Sequence, residues 1–290
     1  MFLFRAWGVG HQGGSDIGFM KGWTLQDIPW DRFDRSRVDP EILRVVKAAA
    51  MVEGNGGDYS TYLCNVFHDD PAFQQVARAW GDEEIQHGAA LGRWAELADP
   101  GFDFAQAFRR FADGFKIDLA TSRSVRGSRS GELVARCIVE TGTSSYYTAL
   151  MEAVDEPVLK EICRNIAADE LRHYKLFYSH LKRYLEREKI GSWRRVLVAL
   201  GRLRETEDDE LAYAYWSANQ DEGAYDRRRY SRAYARRAYG FYKPRHVERG
   251  IAMVMKAVGL EPQGRLSATL SRWAYRFMHF RHQRLVRQDA

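Results

Sequence analysis

The sequence has no long uninterrupted run of apolar residues and few cysteines. No apolar run reaches the length of a transmembrane helix, and the opening MFLFRAWGVG is too short and too broken for a signal-peptide core. The three cysteines, Cys64, Cys137 and Cys163, are scattered within helical apolar patterns, which favours buried reduced thiols over a disulfide framework. We therefore expect a soluble cytoplasmic protein without a membrane span.

Strand-type alternation of apolar and polar residues is not sustained anywhere, whereas helical spacing is. Four long segments show helical spacing, and they cover residues 41–67, 71–98, 132–154 and 157–189. Pro71 and Pro157 each follow acidic residues and mark helix starts. The sequence predicts an all-α fold, a four-helix bundle with additional C-terminal helices.

Composition divides the chain into three predicted regions. Residues 1–39 contain Gly pairs and Asp-Arg clusters and are expected to form an irregular arm. Residues 40–189 are expected to form the bundle. Residues 190–290 are basic and rich in tyrosine, and we expect a helical extension packed on the bundle that ends in a basic amphipathic helix. The formal charge of +5 is a mild excess that does not by itself imply nucleic acid.

Two Glu-x-x-His pairs stand near the middle of the second and the fourth long helix. Glu84 and His87 form one pair, and Glu170 and His173 form the other. Residues three apart share one face of a helix, so each pair presents a carboxylate and an imidazole together. A single pair of this kind is usually a solvated feature, and its meaning depends on what accompanies it.

A further glutamate precedes each pair in the preceding helix. Glu53 stands 31 positions before Glu84, and Glu140 stands 30 positions before Glu170. Four carboxylates in one core cannot all stay charged without cations, because burying an unpaired charge costs several kcal/mol. Two divalent cations would neutralise them, and imidazole ligands suit iron or manganese better than magnesium. The order matches the known pattern of di-iron and di-manganese bundles, so we expect two iron ions, with manganese as the alternative.

At these residues the sequence resembles the ferritin-like di-iron carboxylate superfamily, and within it the soluble acyl-carrier-protein desaturases. The segments RAWGDEEIQHG and IAADELRHYKLFYSHL carry the likeness, which covers roughly residues 40 to 186. The resemblance implies as metal ligands Glu53, Glu84, His87, Glu140, Glu170 and His173. It also implies an external electron donor such as ferredoxin, and it leaves room for an acyl carrier protein as partner and for a homodimer.

Two further residues are placed by the resemblance. Thr143, three residues after Glu140, matches a threonine implicated in oxygen activation, and Trp80 matches the family's tryptophan. A threonine hydroxyl bonded back to a helix carbonyl is the alternative for Thr143. Glu83 and Asp169 precede the two ligand glutamates, and they either orient the imidazoles or lie on a solvated face.

The sequence also departs from the desaturases. The first long helix carries EGNGGDY, and Gln86 replaces an arginine. Glycine costs about 1 kcal/mol in a helix interior. Either the helix is kinked, which leaves open whether Glu53 or Asp58 is its ligand, or Gly56 and Gly57 widen a channel beside the metals. Gly142 and Ser144 are expected to leave room for a substrate, and Tyr146 and Tyr147 are expected in the core.

Three functions remain open. The first is a dioxygen-dependent desaturase or hydroxylase of an organic substrate, with an acyl chain as the first choice. The second is an iron-handling or peroxide-reducing protein of the rubrerythrin or ferritin kind, which the absence of paired Cys-x-x-Cys motifs disfavours. The third is a tRNA-modifying hydroxylase, because RRRYSRAYARRAYGFYK mixes arginine with stackable aromatics. In that case the tyrosines should be exposed in an open cleft, whereas an acyl chain needs a narrow apolar cavity.

Overall fold

A computed structural model describes residues 22–205, 209–219 and 224–288. Within these ranges the secondary structure is helical and no strand is present, which confirms the all-α prediction. The predicted arm is described from residue 22 onward, where it forms three short 3-10 turns at Leu25–Asp27, Trp30–Arg32 and Arg35–Arg37. None of the described helices is both long and apolar enough to cross a membrane.

Five helices build the bundle, because the first predicted helix is broken in two. They are α1 (Pro40–Gly54), α2 (Gly56–Val66), α3 (Pro71–Ala98), α5 (Arg129–Ala153) and α6 (Pro157–Glu188). A short helix, α4 (Phe104–Gly114), lies between α3 and α5. α5 packs along α6, while α1 and α2 pack in succession along α3. The break at Asn55 agrees with the kinked alternative for EGNGGDY.

Acidic side chains and prolines fix the starts of these helices. Asp39, Asp70 and Glu156 each accept a hydrogen bond from a first-turn backbone N–H, and each is followed by a proline at the first helical position. This combination satisfies one orphan N–H and pre-sets the backbone angle for the helix. These three helices thus begin at a defined residue, which sets the register of their glutamates and histidines.

In its described part the extension contains five α-helices, and it covers one side of the bundle. They are α7 (Ser192–Glu205), α8 (Asp209–Asn219), α9 (Arg227–Ala238), α10 (Pro244–Val258) and α11 (Arg265–Gln288). α8 packs on α1, α9 packs on α8, and both α7 and α10 pack on α5. Buried tyrosines such as Tyr215 and Tyr230 belong to the same apolar cluster as the α1 residues Val45 and Val46.

Two apolar clusters occupy the two ends of the bundle core. In α3, Phe73 and Trp80 belong to one cluster, and Leu91 and Trp94 belong to the other. α5 and α6 divide in the same way. The middle turns of α3, α5 and α6 hold the charged residues instead. The polar centre is therefore enclosed at both ends by close-packed apolar side chains.

Glycines allow the close approach of α1 to α3. A Cβ at Gly88 would lie 2.5 Å from the Gly54 backbone nitrogen and 2.7 Å from its Cα, which no real Cβ tolerates. Since both neighbours are backbone atoms, the helices themselves would have to separate.

Gly88→Ala should lower the free energy of unfolding by about 1–3 kcal/mol, because the added methyl overpacks a backbone contact. The matched control is Gly201→Ala in α7, where a Cβ meets nothing within 4 Å. That change should be neutral or stabilise by up to about 1 kcal/mol through helix propensity. Urea unfolding of both variants measures the difference, and equal effects would show that the α1–α3 contact is not tight.

Candidate metal centre

The structure brings the six predicted ligand residues into one buried centre. Their ligand atoms form two groups, and within each group all atoms lie within 4.8 Å of one another. The groups are Glu53, Glu84, His87 and Glu170, and Glu84, Glu140, Glu170 and His173. Glu84 and Glu170 belong to both groups. Two adjacent groups that share two carboxylates have the form of a site for two metal ions.

The imidazoles cross between the helices. His173 of α6 places Nδ1 3.1 Å from Oε1 of Glu84 in α3, and His87 of α3 places Nδ1 3.3 Å from Oε1 of Glu170 in α6. The i, i+3 spacing makes this possible, since it aligns each glutamate with its histidine on the inner face. The two Glu-x-x-His pairs are thus related by an approximate symmetry of the bundle.

Five polar atoms in this centre have no hydrogen-bond partner among the described residues, although all five are buried. They are Oε1 of Glu84, Glu140 and Glu170, and Nδ1 of His87 and His173. An unsatisfied buried polar atom costs about 1–3 kcal/mol, so five of them together would be a heavy penalty. Carboxylate oxygens and imidazole nitrogens are ligands for divalent transition metals, and cations at this point would satisfy all five.

The outer nitrogens of both imidazoles face carboxylates. His87 Nε2 lies 3.1 Å from Asp169 Oδ2, and His173 Nε2 lies 2.6 Å from Glu83 Oε2. Arg172 donates to both of these acids. Because a carboxylate only accepts, each Nε2 carries a proton, which leaves Nδ1 as the nitrogen that can bind a metal ion at the centre. The orienting alternative for Glu83 and Asp169 is confirmed by these contacts.

The described part of the arm contributes a residue that the sequence did not reveal. The Trp23 indole donates to Asp169 Oδ2 at 2.8 Å and stacks on His87, with ring centroids 6.0 Å apart and planes 2° apart. Gln86, which departs from the family pattern, donates to the Trp23 carbonyl at 2.9 Å. The replacement at Gln86 was the only signal in the sequence, and it did not point to a partner 63 positions away.

Burial and charge perturb the titration of the centre when it holds no metal. Burial, and after it the nearby Glu170 and Glu53 carboxylates, raise the pKa of Glu84 well above its usual value. Burial raises the pKa of Glu140 to about 8. Burial also acts to raise the pKa of Glu170, but interactions with the His173 and His87 imidazoles outweigh it and hold that pKa below its usual value. Without metal the centre therefore retains protons, and metal binding must displace them.

The break between α1 and α2 places Glu53 and Asp58 on different helices. Glu53 lies in the last turn of α1 within the first ligand group, whereas Asp58 lies in the first turn of α2 outside both groups. The expectation that Gly56 widens a channel is wrong. A Cβ there would lie 2.3 Å from Glu84 Cβ, so the glycine is needed for close packing of α2 on α3.

Two α5 hydroxyls donate to the carboxylates of the centre. Thr143 Oγ1 lies 2.5 Å from Glu170 Oε2, and Tyr147 Oη lies 2.6 Å from Glu53 Oε1. The backbone carbonyls of Val139 and Glu140 are farther from Thr143, at 3.3 Å each. Burial, and after it Glu53, raise the pKa of Tyr147 well above its usual value, so Tyr147 stays a neutral donor. Tyr147 is in the core as predicted, but it also contacts the centre.

A cavity of about 240 Å³ reaches the centre from the side covered by the extension. Its wall includes Glu53 and Thr143. The apolar part of the wall consists of Ala49, Val52, Ile138, Val139, Leu203, Leu211, Ala235 and Ala238. The polar part includes Tyr146, Tyr147, Tyr234, Tyr239 and Tyr242, together with Arg202, Glu205, Glu210, Ser231 and Arg281. The extension thus closes a cavity whose innermost residues belong to the bundle.

Of the small residues expected to leave room for a substrate, Gly142 alone lines this cavity. A Cβ at Gly142 would meet nothing within 4 Å, so the space beside it is open. Gly57 instead faces Ile85, and Ser144 is buried against the Ala167 carbonyl at 3.4 Å. For Gly57 and Ser144 the expectation was wrong, because neither residue lines the cavity.

The basic tyrosine-rich segment does not form an open cleft in its described part. Tyr230 is buried, and Tyr234 lines the cavity. Arg236 and Arg237 pair with Glu41 of α1, at 2.6 and 2.9 Å. These rings and guanidinium groups hold α9 on the bundle. Stackable aromatics exposed for RNA, which the third function required, are not found among them.

Comparison with known proteins gives one family match. A family model described as fatty acid desaturase matches residues 53–233. The matched range contains all six residues of the two ligand groups, as well as Thr143 and helices α2 to α8. No curated protein matches the chain.

Proposed function

The chain belongs to the fatty acid desaturase family, and from that premise we propose that it is a di-iron, dioxygen-dependent oxidoreductase that desaturates or hydroxylates an acyl chain. The single observation that carries the proposal is the buried double ligand group beside an apolar cavity. Family and cluster together fit an oxidoreductase with a dinuclear metal site. The choice of iron over manganese, the acyl substrate and the reaction are our proposal.

We assign Glu53 and His87 to one metal ion and Glu140 and His173 to the other. Glu84 and Glu170 belong to both groups and would be shared between the two ions. Four carboxylates balance the four positive charges of two divalent cations, so the buried centre becomes neutral when loaded. The two neutral imidazoles, fixed by Asp169 and Glu83, favour iron or manganese over magnesium.

The bound iron would supply dioxygen activation and oxidation of an unactivated carbon–hydrogen bond. Thr143 is placed to hold a proton at Oγ1, between the cavity and Glu170. Tyr147 holds Glu53 in place through its hydroxyl. The apolar wall excludes water from the innermost part of the cavity, which protects a reactive site from side reactions.

The size of the cavity suits a small apolar segment of a substrate. Its volume of about 240 Å³ lies just below the roughly 300–1,000 Å³ typical of ligand pockets. A flexible hydrocarbon chain fits such a space because it can bend past the tyrosines. An iron-storage or peroxide-reducing protein has no need of an apolar cavity at this position, and an RNA base would need an open cleft.

Desaturation of an acyl chain requires an electron donor from outside the chain. One dioxygen would take two hydrogen atoms from the acyl chain, and two electrons with two protons from the donor and solvent, to give two waters. A ferredoxin-like protein is the donor that the family resemblance suggests, and an acyl carrier protein is one carrier for the substrate. The pairing of Arg236 and Arg237 with Glu41 leaves these two arginines less suited to dock an acidic carrier.

Glu53→Ala should lower bound iron to below two per chain, because it removes a ligand that lies in the first group only. Glu170→Ala should lower it further, since Glu170 is shared. The matched control is Asp58→Ala, which should keep the wild-type iron content because Asp58 is outside both groups. Metal analysis after anaerobic loading with iron, and separately with manganese, measures this. Metal loss in the Asp58 variant alone would show that Asp58, and not Glu53, is the ligand from this part of the chain.

Thr143→Val keeps the side-chain shape and removes the hydroxyl that donates to Glu170. Iron content should stay at the wild-type level, while the ratio of product to oxygen consumed falls by roughly 10-fold or more. Thr141→Val is the control, since its buried hydroxyl donates only to the Cys137 carbonyl. Measurement needs an oxygen electrode and product analysis on the same sample. An unchanged ratio for Thr143→Val would remove this hydroxyl from the reaction.

Gly142→Leu should fill the space beside the centre and reduce oxidation of long acyl chains by at least about 10-fold, with iron content unchanged. Gly201→Leu is the control, because its site is also open but lies outside the cavity wall. Product analysis by mass spectrometry would compare free fatty acid, acyl coenzyme A and acyl carrier protein thioesters as substrates. Full activity of Gly142→Leu on every acyl form would show that the substrate does not use this cavity.

A further inference from the structure

Helix α11 exposes a row of large apolar side chains. The row consists of Leu266, Leu270, Trp273, Phe277 and Phe280, which follow one another at helical spacing on one side of the helix. Trp273 is 71% exposed and Phe280 is 64% exposed. Single exposed apolar residues are ordinary, but a continuous row of this size marks an interaction surface.

Helix α7 carries a second row of the same kind. Trp193, Leu197 and Leu200 follow the same spacing, and Trp193 is 72% exposed. We call the two rows together the apolar rows. Helix α11 and helix α7 both pack against α10, so the helices that carry the rows flank a common neighbour.

Both helices lead from the same end of α10 to the cavity. Ser192 at the start of α7 donates to the Gly259 carbonyl just after α10, and α11 begins shortly beyond Gly259. Near their other ends, Leu203 of α7 and Arg281 of α11 line the same cavity. Because Leu203 is also 45% exposed, the cavity approaches the surface between the C-terminal parts of these helices.

The charged residues of α11 are all of one sign. Helix α11 has six arginines and no aspartate or glutamate in its sequence. Five of them are exposed, namely Arg265, Arg272, Arg276, Arg284 and Arg287. Helix α7 adds the exposed Arg194 and Arg204. Exposed tryptophan and phenylalanine beside arginine is the composition of a helix that lies in a membrane interface.

A second copy of the chain fits this surface less well. A two-fold contact through α11 would bring two acid-free arginine-rich helices together, which is electrostatically unfavourable. Anionic phospholipid offers the complementary sign, and its acyl region accepts the apolar side chains. We propose that α7 and α11 bind the surface of membranes that contain anionic phospholipid, with the apolar rows at the boundary between headgroups and acyl chains.

The proposal does not depend on the metal or on the reaction, because metal-free protein would bind the same membrane. When α7 and α11 lie on a membrane, the part of the cavity wall that contains Leu203 and Arg281 would lie close to the lipid surface. Charge and apolar contact contribute separately to such binding, so substitutions of the arginines and of the apolar side chains should each weaken it.

The test is flotation of the full-length protein as isolated, with vesicles of phosphatidylcholine alone, or with about one third phosphatidylglycerol. The anionic vesicles should bind at least about 10-fold more protein. Trp273→Ser combined with Phe277→Ser should weaken that binding by at least about 10-fold. Arg272→Gln combined with Arg276→Gln should reduce the preference for anionic vesicles by roughly 10-fold or more.

The control is Ile85→Ser, which removes a 45% exposed apolar side chain from α3, a helix that packs on α1, α2 and α6. It should bind like the wild type, and circular dichroism should show that every variant keeps its helices. Failure of the wild type to bind anionic vesicles would overturn the proposal, as would unchanged binding by the Trp273 and Phe277 double variant. A dimer in light scattering that this variant converts to monomer, without vesicle binding, would assign the surface to a second copy instead.

Discussion

The rest of the structure depends on the cost of burying four carboxylates and two imidazoles in one place. Glu53, Glu84, Glu140 and Glu170 lie between two apolar clusters that exclude water from both ends of the bundle. Such a group is stable only when cations or protons compensate its charge. In the metal-free chain, this cost raises the pKa values of Glu84 and Glu140. The same constraint leaves five buried ligand atoms without a hydrogen-bond partner among the described residues.

The parts of the chain outside the bundle are arranged around that centre. The described part of the arm covers it through Trp23, which holds Asp169 and thereby the orientation of His87. The extension leaves space beside the centre, because it contributes most of the residues that line a cavity with Glu53 and Thr143 in its wall. The arm thus orients a ligand, while the extension encloses the cavity beside the ligands.

Apart from the break at Asn55, the sequence predicted the long helices of the bundle, and it predicted that six side chains meet in its core, because both predictions follow from local rules. Helical spacing, acid-proline starts and the i, i+3 pairs are all local features. What could not be predicted is set by contacts between distant segments. The packing of Gly56 on Glu84, the stacking of Trp23 on His87 and the hydroxyl contact of Tyr147 with Glu53 join positions 28 to 94 residues apart. No periodicity within one helix encodes such pairs.

The centre is nearly symmetric, but its surroundings are not. The two Glu-x-x-His pairs make the same kind of contact on α3 and α6, and each imidazole has its own outer carboxylate. Yet His87 is covered by the arm through Trp23, while Trp80 lies at the edge of the His173 ring. The cavity touches the centre at Glu53 and Thr143 only on the α1 and α5 side. A symmetric pair of metal ions would therefore meet its substrate from one side, and the hydroxyl that contacts Glu170 lies on that side.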